Sequence, residues 1–185
     1  MSALCLRIST MRRGIVTVID VTITILPPAP LYAMEIWANA KDVATRFSAV
    51  TDFPLPRLGT SGGSDALRLI RYEPSVWLVE GDAIVLPTIL GCDGAVTAIG
   101  GSITRVRLSG EGWRTLLMEG GMFDAESPAF AARSSAATII DHIPVRLHVV
   151  NDDACDVYVP ASFAAGLVHF WNLAAGLGDF PHNVG

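Results

Sequence analysis

The residues of this chain whose types could do chemistry are four histidines, three cysteines and one adjacent pair of acids. A metal centre needs His and Cys ligands converging at short, fixed spacings. His142, His148, His169 and His182 show no such spacing, and His142 and His148 straddle an apparent turn, where they read as half-exposed strand residues. Cys5, Cys92 and Cys155 are odd in number and form no C-x-x-C pair, which speaks for a reducing compartment and against a disulfide scaffold or structural zinc site. Asp152-Asp153 has the composition of a catalytic dyad, but adjacent side chains on a strand point to opposite faces, so solvated turn acids are the expectation. Ser102, Ser109 and Ser162 lack the G-x-S-x-G frame of a nucleophile elbow. The run Gly59-Thr60-Ser61-Gly62-Gly63-Ser64 lacks the Gly-Lys-Ser/Thr ending of a phosphate loop and reads as a plain surface loop. No G-x-G-x-x-G follows a strand, so the chain is not expected to hold FAD or NAD. The sequence therefore nominates no catalytic, cofactor-binding or metal-ligating residue.

The elements that would position these residues alternate between strands and helices. Val16, Val18, Val21, Ile23 and Ile25 form a β-branched strand pattern that Pro27-Pro28-Ala29-Pro30 ends. A strand over 31–37 follows, then a helix capped by Asn39 with Val43, Phe47 and Val50 at helical spacing. Strands are expected at 67–71 and around Trp77-Leu78-Val79, with a short helix in 82–92. Strands at 95–99 and 103–108 are expected to pair as a hairpin around Gly100-Gly101. Ser109 would cap a helix carrying Trp113, Leu116 and Leu117, ended by Gly120-Gly121. Strands over 134–140, 145–150 and 156–159 then lead into a last helix with Phe163, Leu167, Phe170, Trp171 and Ala174 as its buried stripe. The expected architecture is α+β: two repeated strand-helix-strand-strand(-helix) halves, about 14–92 and 93–178, with antiparallel sheets faced by helices. They form a single domain over 14–178, with 1–13 a disordered tail or an over-long start and 179–185 a second tail. Trp77, Trp113 and Trp171 are candidate anchors, either for an interface or for core packing.

Composition narrows the setting. Hydrophobic residues are 51% and charged residues 17% of the 185 positions, against about 45–50% and about 25% in ordinary domains. The surplus fits either a permanent interface or a generous core. A net charge of −5 with 13 scattered Lys and Arg argues against nucleic acid or an anionic membrane as partner. Met11-Arg12-Arg13 and the apolar stretch after it have the outline of a signal peptide, but Asp20 interrupts the stretch. The run is also shorter than the roughly 20 residues of a membrane helix. The expected location is the cytoplasm.

Several phrases carry a resemblance. Pro74, Trp77 and Leu78 match a gly-pro-x-x-trp-leu wording in which Glu73 replaces the glycine. Leu108-Ser109-Gly110, Leu116-Leu117 and Asp124 match an LSG…LL…D wording, and Asp156 to Phe163 matches a strand-to-helix passage ending in Pro-Ala-Ser. Together they resemble the gamma subunit of heterotetrameric sarcosine oxidase, within the aminomethyltransferase-like, folate-binding fold superfamily. The resemblance implies that fold. It also implies a non-catalytic gamma-type subunit in oxidative demethylation of sarcosine or a related N-methyl amine linked to tetrahydrofolate. Its partners would be an alpha subunit with NAD and folate sites, a beta subunit with FAD and FMN, and a small delta subunit with zinc. This chain would itself bind none of these cofactors and would help enclose an internal channel. The aminomethyltransferases' Gly-Gly-x-x-Asp-Asp segment has no counterpart at the turn after Asp141, and the Lys-Gly-Cys signature of a related iron–sulfur assembly factor is missing around Cys92 and Cys155. A free-standing folate-binding one-carbon or assembly protein of the same fold is the alternative.

Overall fold

The computed structural model describes residues 19–177. The expected tails over 1–13 and 179–185, and the start of the first expected strand, lie outside the described residues. The strands are β1 (Thr22–Ile25), β2 (Leu31–Ile36), β3 (Thr60–Gly63), β4 (Leu67–Arg71), β5 (Val76–Gly81), β6 (Gly94–Ala98), β7 (Ile103–Ser109), β8 (Ser135–Ile140), β9 (Ile143–Asn151) and β10 (Ala154–Pro160). The helices are α1 (Ala40–Thr51), α2 (Leu86–Leu90), α3 (Trp113–Met118) and α4 (Ala161–Ala174), and a 3-10 turn spans Gly100–Ser102. The strands make two antiparallel five-stranded sheets, one ordered β1-β7-β10-β9-β8 and the other β3-β4-β5-β2-β6. The fold is α+β, as the sequence pattern implies.

Period-two alternation sorts the strand residues between two faces. In the first sheet Val106, Leu108, Val145, Leu147, Val149 and Val157 pack with Trp113, Leu116 and Leu117 of α3 and Leu167 and Trp171 of α4. In the second, Met34, Ile36, Leu69, Trp77 and Val79 pack with Val43 and Phe47 of α1 and Leu86, Ile89 and Leu90 of α2. The opposite faces meet each other, with Leu31, Ile70, Tyr72, Leu78 and Tyr158 in a smaller apolar cluster between the sheets. The helices thus lie on the outside of a two-sheet sandwich. Each fully buried aliphatic side chain in these cores contributes about 1.5–3 kcal/mol.

Four local expectations are corrected. The strands flanking Gly100-Gly101 do not pair: β6 binds β2 and β7 binds β1 and β10, so the glycines carry the chain from one sheet to the other. Residues 60–63 are not a free loop but an edge strand held by β4. Ser109 ends β7 instead of capping α3, because Gly110 turns the chain at φ 106, and the first helical residue is Trp113. Asn39 sits in left-handed backbone without a side-chain cap, and its amide donates instead to Asp93 Oδ1 at 2.8 Å.

The expected stripe of α4 also shifts. Ala164, Leu167, Trp171 and Ala175 are buried, whereas Phe163 is half exposed and Phe170 partly covered. β10 runs straight into this helix. At its far end the Leu177 amide donates to Asn172 O (2.8 Å) and the Gly176 amide to Leu173 O (3.0 Å), with Gly176 at φ 73. That Schellman closure satisfies the last carbonyls. The pairing Ile140–Ile143 leaves Asp141 and His142, both at positive φ, as a two-residue hairpin turn.

Candidate functional site

The layer between the sheets is where polar side chains gather. Its residues come from alternate strand positions that would face water in an open sheet, and the second sheet covers them. Arg107 on β7 and Asp156 on β10 stand opposite each other in register. The guanidinium grips both carboxylate oxygens, Nε to Oδ1 at 2.7 Å and Nη2 to Oδ2 at 2.8 Å. The Asp156 side chain is 1% exposed. Glu80 on β5 accepts from Arg68 on β4 at 3.3 Å and from Arg105, across the gap on β7, at 3.0 Å. Arg146 on β9 lies over the Tyr72 ring at 4.5 Å. Ser135 donates its hydroxyl to the Arg71 carbonyl at 2.8 Å.

One edge is also joined by backbone. Ser61 donates its amide to Arg133 O (2.8 Å), and Ser135 donates its amide to Gly59 O (2.9 Å). Arg133 takes φ 69 there, a left-handed conformation that costs a non-glycine residue free energy. Here the Ser61 hydroxyl meets His148 Nε2 at 2.9 Å.

A serine hydroxyl against an imidazole is the starting geometry of nucleophilic catalysis. The surroundings differ from a catalytic pair. His148 Nδ1 is buried without a hydrogen-bond partner, where a relay would place an orienting acceptor. Burial first, then the nearby Arg68 charge, lowers the imidazole from its ordinary 6.5 to about 4, so it is neutral and a weak base. The hollow beside it, lined by Ser61, Ser64, Asp65, Arg68, Arg133 and His148, measures about 210 Å³. The pair acts as a polar stitch between sheets. His148 lies on β9, as its strand pattern implies, but it is 3% exposed instead of half exposed, because the second sheet covers it.

The other titratable groups follow from burial and neighbours. Burial, then the Glu80 and Asp156 charges, raise the Tyr158 hydroxyl well above its usual range, and that hydroxyl has no hydrogen-bond partner. The bonds to Asp156 strengthen the proton hold of Arg107. Burial pushes the Cys155 thiol up, which removes it as a nucleophile. On the outer side, hydrogen bonds from Arg46 and Asn39 hold the Asp93 carboxyl below the ordinary carboxylate range. Arg46 borders an apolar hollow of about 520 Å³ between α1 and α2. Its guanidinium is already taken by Asp93 at 2.7 Å, so that hollow offers no free charge. Among the described residues no group of three or more His, Cys, Asp and Glu could hold a metal ion. No helix among them is long and apolar enough to cross a membrane.

The three tryptophans nominated from sequence are spread over both cores. Trp77 is 3%, Trp113 1% and Trp171 0% exposed. Trp77 donates to Pro56 O at 3.4 Å under the Arg71 guanidinium, Trp113 donates to Asp152 O at 2.9 Å, and the Trp171 indole N–H has no partner. All three side chains lie within the chain's own cores. The exposed indole is Trp37, at 60%, bonded to Cys92 O.

This architecture is the aminomethyltransferase-like fold. A chain of the heterotetrameric sarcosine oxidase from Corynebacterium sp. U-96, solved with pyrrole 2-carboxylate, is similar to it with a TM-score of 0.73. Their identity is 19%, and the match covers 85% of this chain and 84% of that one. The glycine cleavage system aminomethyltransferase T of Bartonella henselae is similar with a TM-score of 0.58 and 17% identity. That match covers 86% of this chain and 50% of the other, so this chain spans about half the length of the aminomethyltransferase. At these identities the likeness is one of fold. No family model matches the chain, and no curated protein matches it in sequence.

Tetrahydrofolate, which the sequence resemblance implies, would need an enclosing pocket, and the inter-sheet layer does not offer one. Ion pairs and Tyr158 fill that layer, and the hollow of about 210 Å³ at its edge is smaller than the roughly 300–1,000 Å³ of a pocket that encloses such a ligand.

Proposed function

We propose that this chain is the gamma-type, non-catalytic subunit of a heterotetrameric sarcosine oxidase, acting on sarcosine or a related N-methyl amine. The observation that carries the reading is reciprocal size: the chain covers 84% of a sarcosine oxidase chain but only 50% of an aminomethyltransferase. The filled inter-sheet layer supports it as well, because a two-sheet body locked by its own ion pairs suits a wall better than a reaction chamber. In this reading the alpha, beta and delta subunits hold NAD, tetrahydrofolate, FAD, FMN and zinc, and this chain helps to enclose the passage between their sites in the cytoplasm.

Co-expression with the neighbouring coding regions, followed by affinity capture of this chain, tests the proposal. Captured large subunits with a flavin spectrum that sarcosine bleaches are the expected result. Bleaching by another N-methyl amine would change only the substrate. A monodisperse chain that captures no flavoprotein would overturn the reading and bring forward the free-standing folate-binding alternative, which tetrahydrofolate titration would then test.

A further inference from the structure

The second sheet ends on an unprotected strand. β6 reads Gly94-Ala95-Val96-Thr97-Ala98, and no strand lies beyond it among the described residues. Natural edges are commonly blunted by charge, proline, a bulge or a covering element; β6 contains no charge and no proline. Its free hydrogen-bonding groups follow from the ladder. Ile99 donates to Leu31 O and Trp37 donates to Asp93 O, which makes those positions hydrogen-bonded pairs of the β2–β6 register. Antiparallel alternation then puts Ala95 and Thr97 inward and turns the N–H and C=O of Gly94, Val96 and Ala98 away from β2. By contrast β1, an end strand of the other sheet, is four residues long and is followed after Leu26 by Pro27-Pro28.

Beside this edge is a hollow of about 520 Å³ lined by Tyr32, Ala83, Ile84, Pro87, Val96 and Ala98. Ile84 stands 78% exposed at its rim. One exposed acid, Asp82, borders the hollow. It is in no ion pair among the described residues.

We infer that β6 is a strand-addition site for an extended segment of a partner protein, one with a large apolar residue opposite Ala98 and a basic residue next to it on the same face. Backbone groups would supply the pairing, and the hollow and Asp82 would supply the selectivity. A second copy of this chain fits less well. Two-fold pairing about Val96 sets Gly94 of one copy opposite Ala98 of the other, which leaves the hollow empty and offers Asp82 no opposite charge.

The probe is the synthetic peptide Lys-Thr-Leu-Thr-Val-Thr-Lys, titrated into the full chain while amide hydrogen exchange is followed residue by residue. Protection of the Val96 and Ala98 amides on binding is expected, with Ala95 and Thr97 already protected before the peptide is added. Val96→Pro removes an outward N–H and spares the β2 ladder, so it should weaken binding roughly tenfold or more while the circular dichroism spectrum is unchanged. A peptide with Gly in place of Leu should bind more weakly than the parent. Binding that protects other amides, or that Val96→Pro leaves intact, would overturn the inference. So would a concentration-dependent dimer of the unliganded chain that Val96→Pro dissolves. None of these outcomes depends on whether flavin subunits are captured.

Discussion

Replacing Arg107 by Met is the most direct test of the inter-sheet layer. The substitution keeps the length of the side chain and deletes the charge that faces a carboxylate 1% exposed. Breaking a fully buried ion pair by removing one partner costs about 3–5 kcal/mol, because the other charge is left unpaired. Arg107 is itself 37% exposed, so water screens part of the interaction, and an exposed pair contributes only about 0–1 kcal/mol. Between these limits Arg107→Met should cost about 2–3 kcal/mol, and for a chain of this size that lowers Tm by roughly 4–12 °C. Asp156→Asn is expected to be milder, about 1 kcal/mol, since the partly exposed guanidinium can turn to water. Joining Arg107→Met with Asp156→Leu should recover most of the loss. Urea titration read by far-UV circular dichroism gives the three values on one scale. If Asp156→Asn costs more than Arg107→Met, or if both stay within about 0.5 kcal/mol of the parent protein, the layer does not hold the sheets together in the way described.

Three further outcomes are expected. His148 is held neutral, with its value lowered from 6.5 to about 4, so the unfolded chain binds the extra proton first as pH falls. Stability should therefore be full above pH 6.5 and drop by up to about 3 kcal/mol toward pH 4; urea midpoints across that window should flatten in His148→Gln, and an unchanged slope would contradict the burial argument. Trp171→Phe should cost about 1 kcal/mol less than Trp113→Phe, because only the Trp113 indole loses a hydrogen bond; thermal melts compare the two. At Gly63 a methyl group would meet the Leu67 carbonyl oxygen in a backbone at φ 114, whereas at Gly101 it would meet nothing within 4 Å. Gly63→Ala should thus lose about 2 kcal/mol or more while Gly101→Ala is neutral or up to about 1 kcal/mol stabilising, with denaturant midpoints as the check.

Much of the framework was readable from local pattern. The apolar alternation of Val145, Leu147 and Val149 and the helical spacing of Trp113, Leu116 and Leu117 mark faces that the structure buries. The polar layer was not readable in the same way. Arg105, Arg107, Arg146, His148 and Asp156 occupy alternate strand positions that look solvated when only one sheet is considered. Nothing local says that a second sheet covers them. The hint was global: a chain only 17% charged has few charges to leave outside, so paired charges on strands deserved to be set against each other. Strand partners failed for a related reason. A glycine pair between two strands reads as a hairpin, and only the competition of β2 for β6 shows it to be a crossing. The function resisted further, because the one serine–imidazole contact among the described residues, Ser61 with His148, joins residues 87 positions apart on different sheets.

The two crossings between the sheets make each half depend on the other. β1, from the first half of the chain, completes the sheet of the second half, and β6, from the second half, completes the sheet of the first. The halves are thereby clasped, like hands with one finger exchanged, and severing the chain near residue 92 would leave each fragment short of an outer strand. Unfolding of either sheet must release a strand from the other, so the molecule should melt as one unit, and separately made fragments 19–92 and 93–177 should gain structure only when mixed.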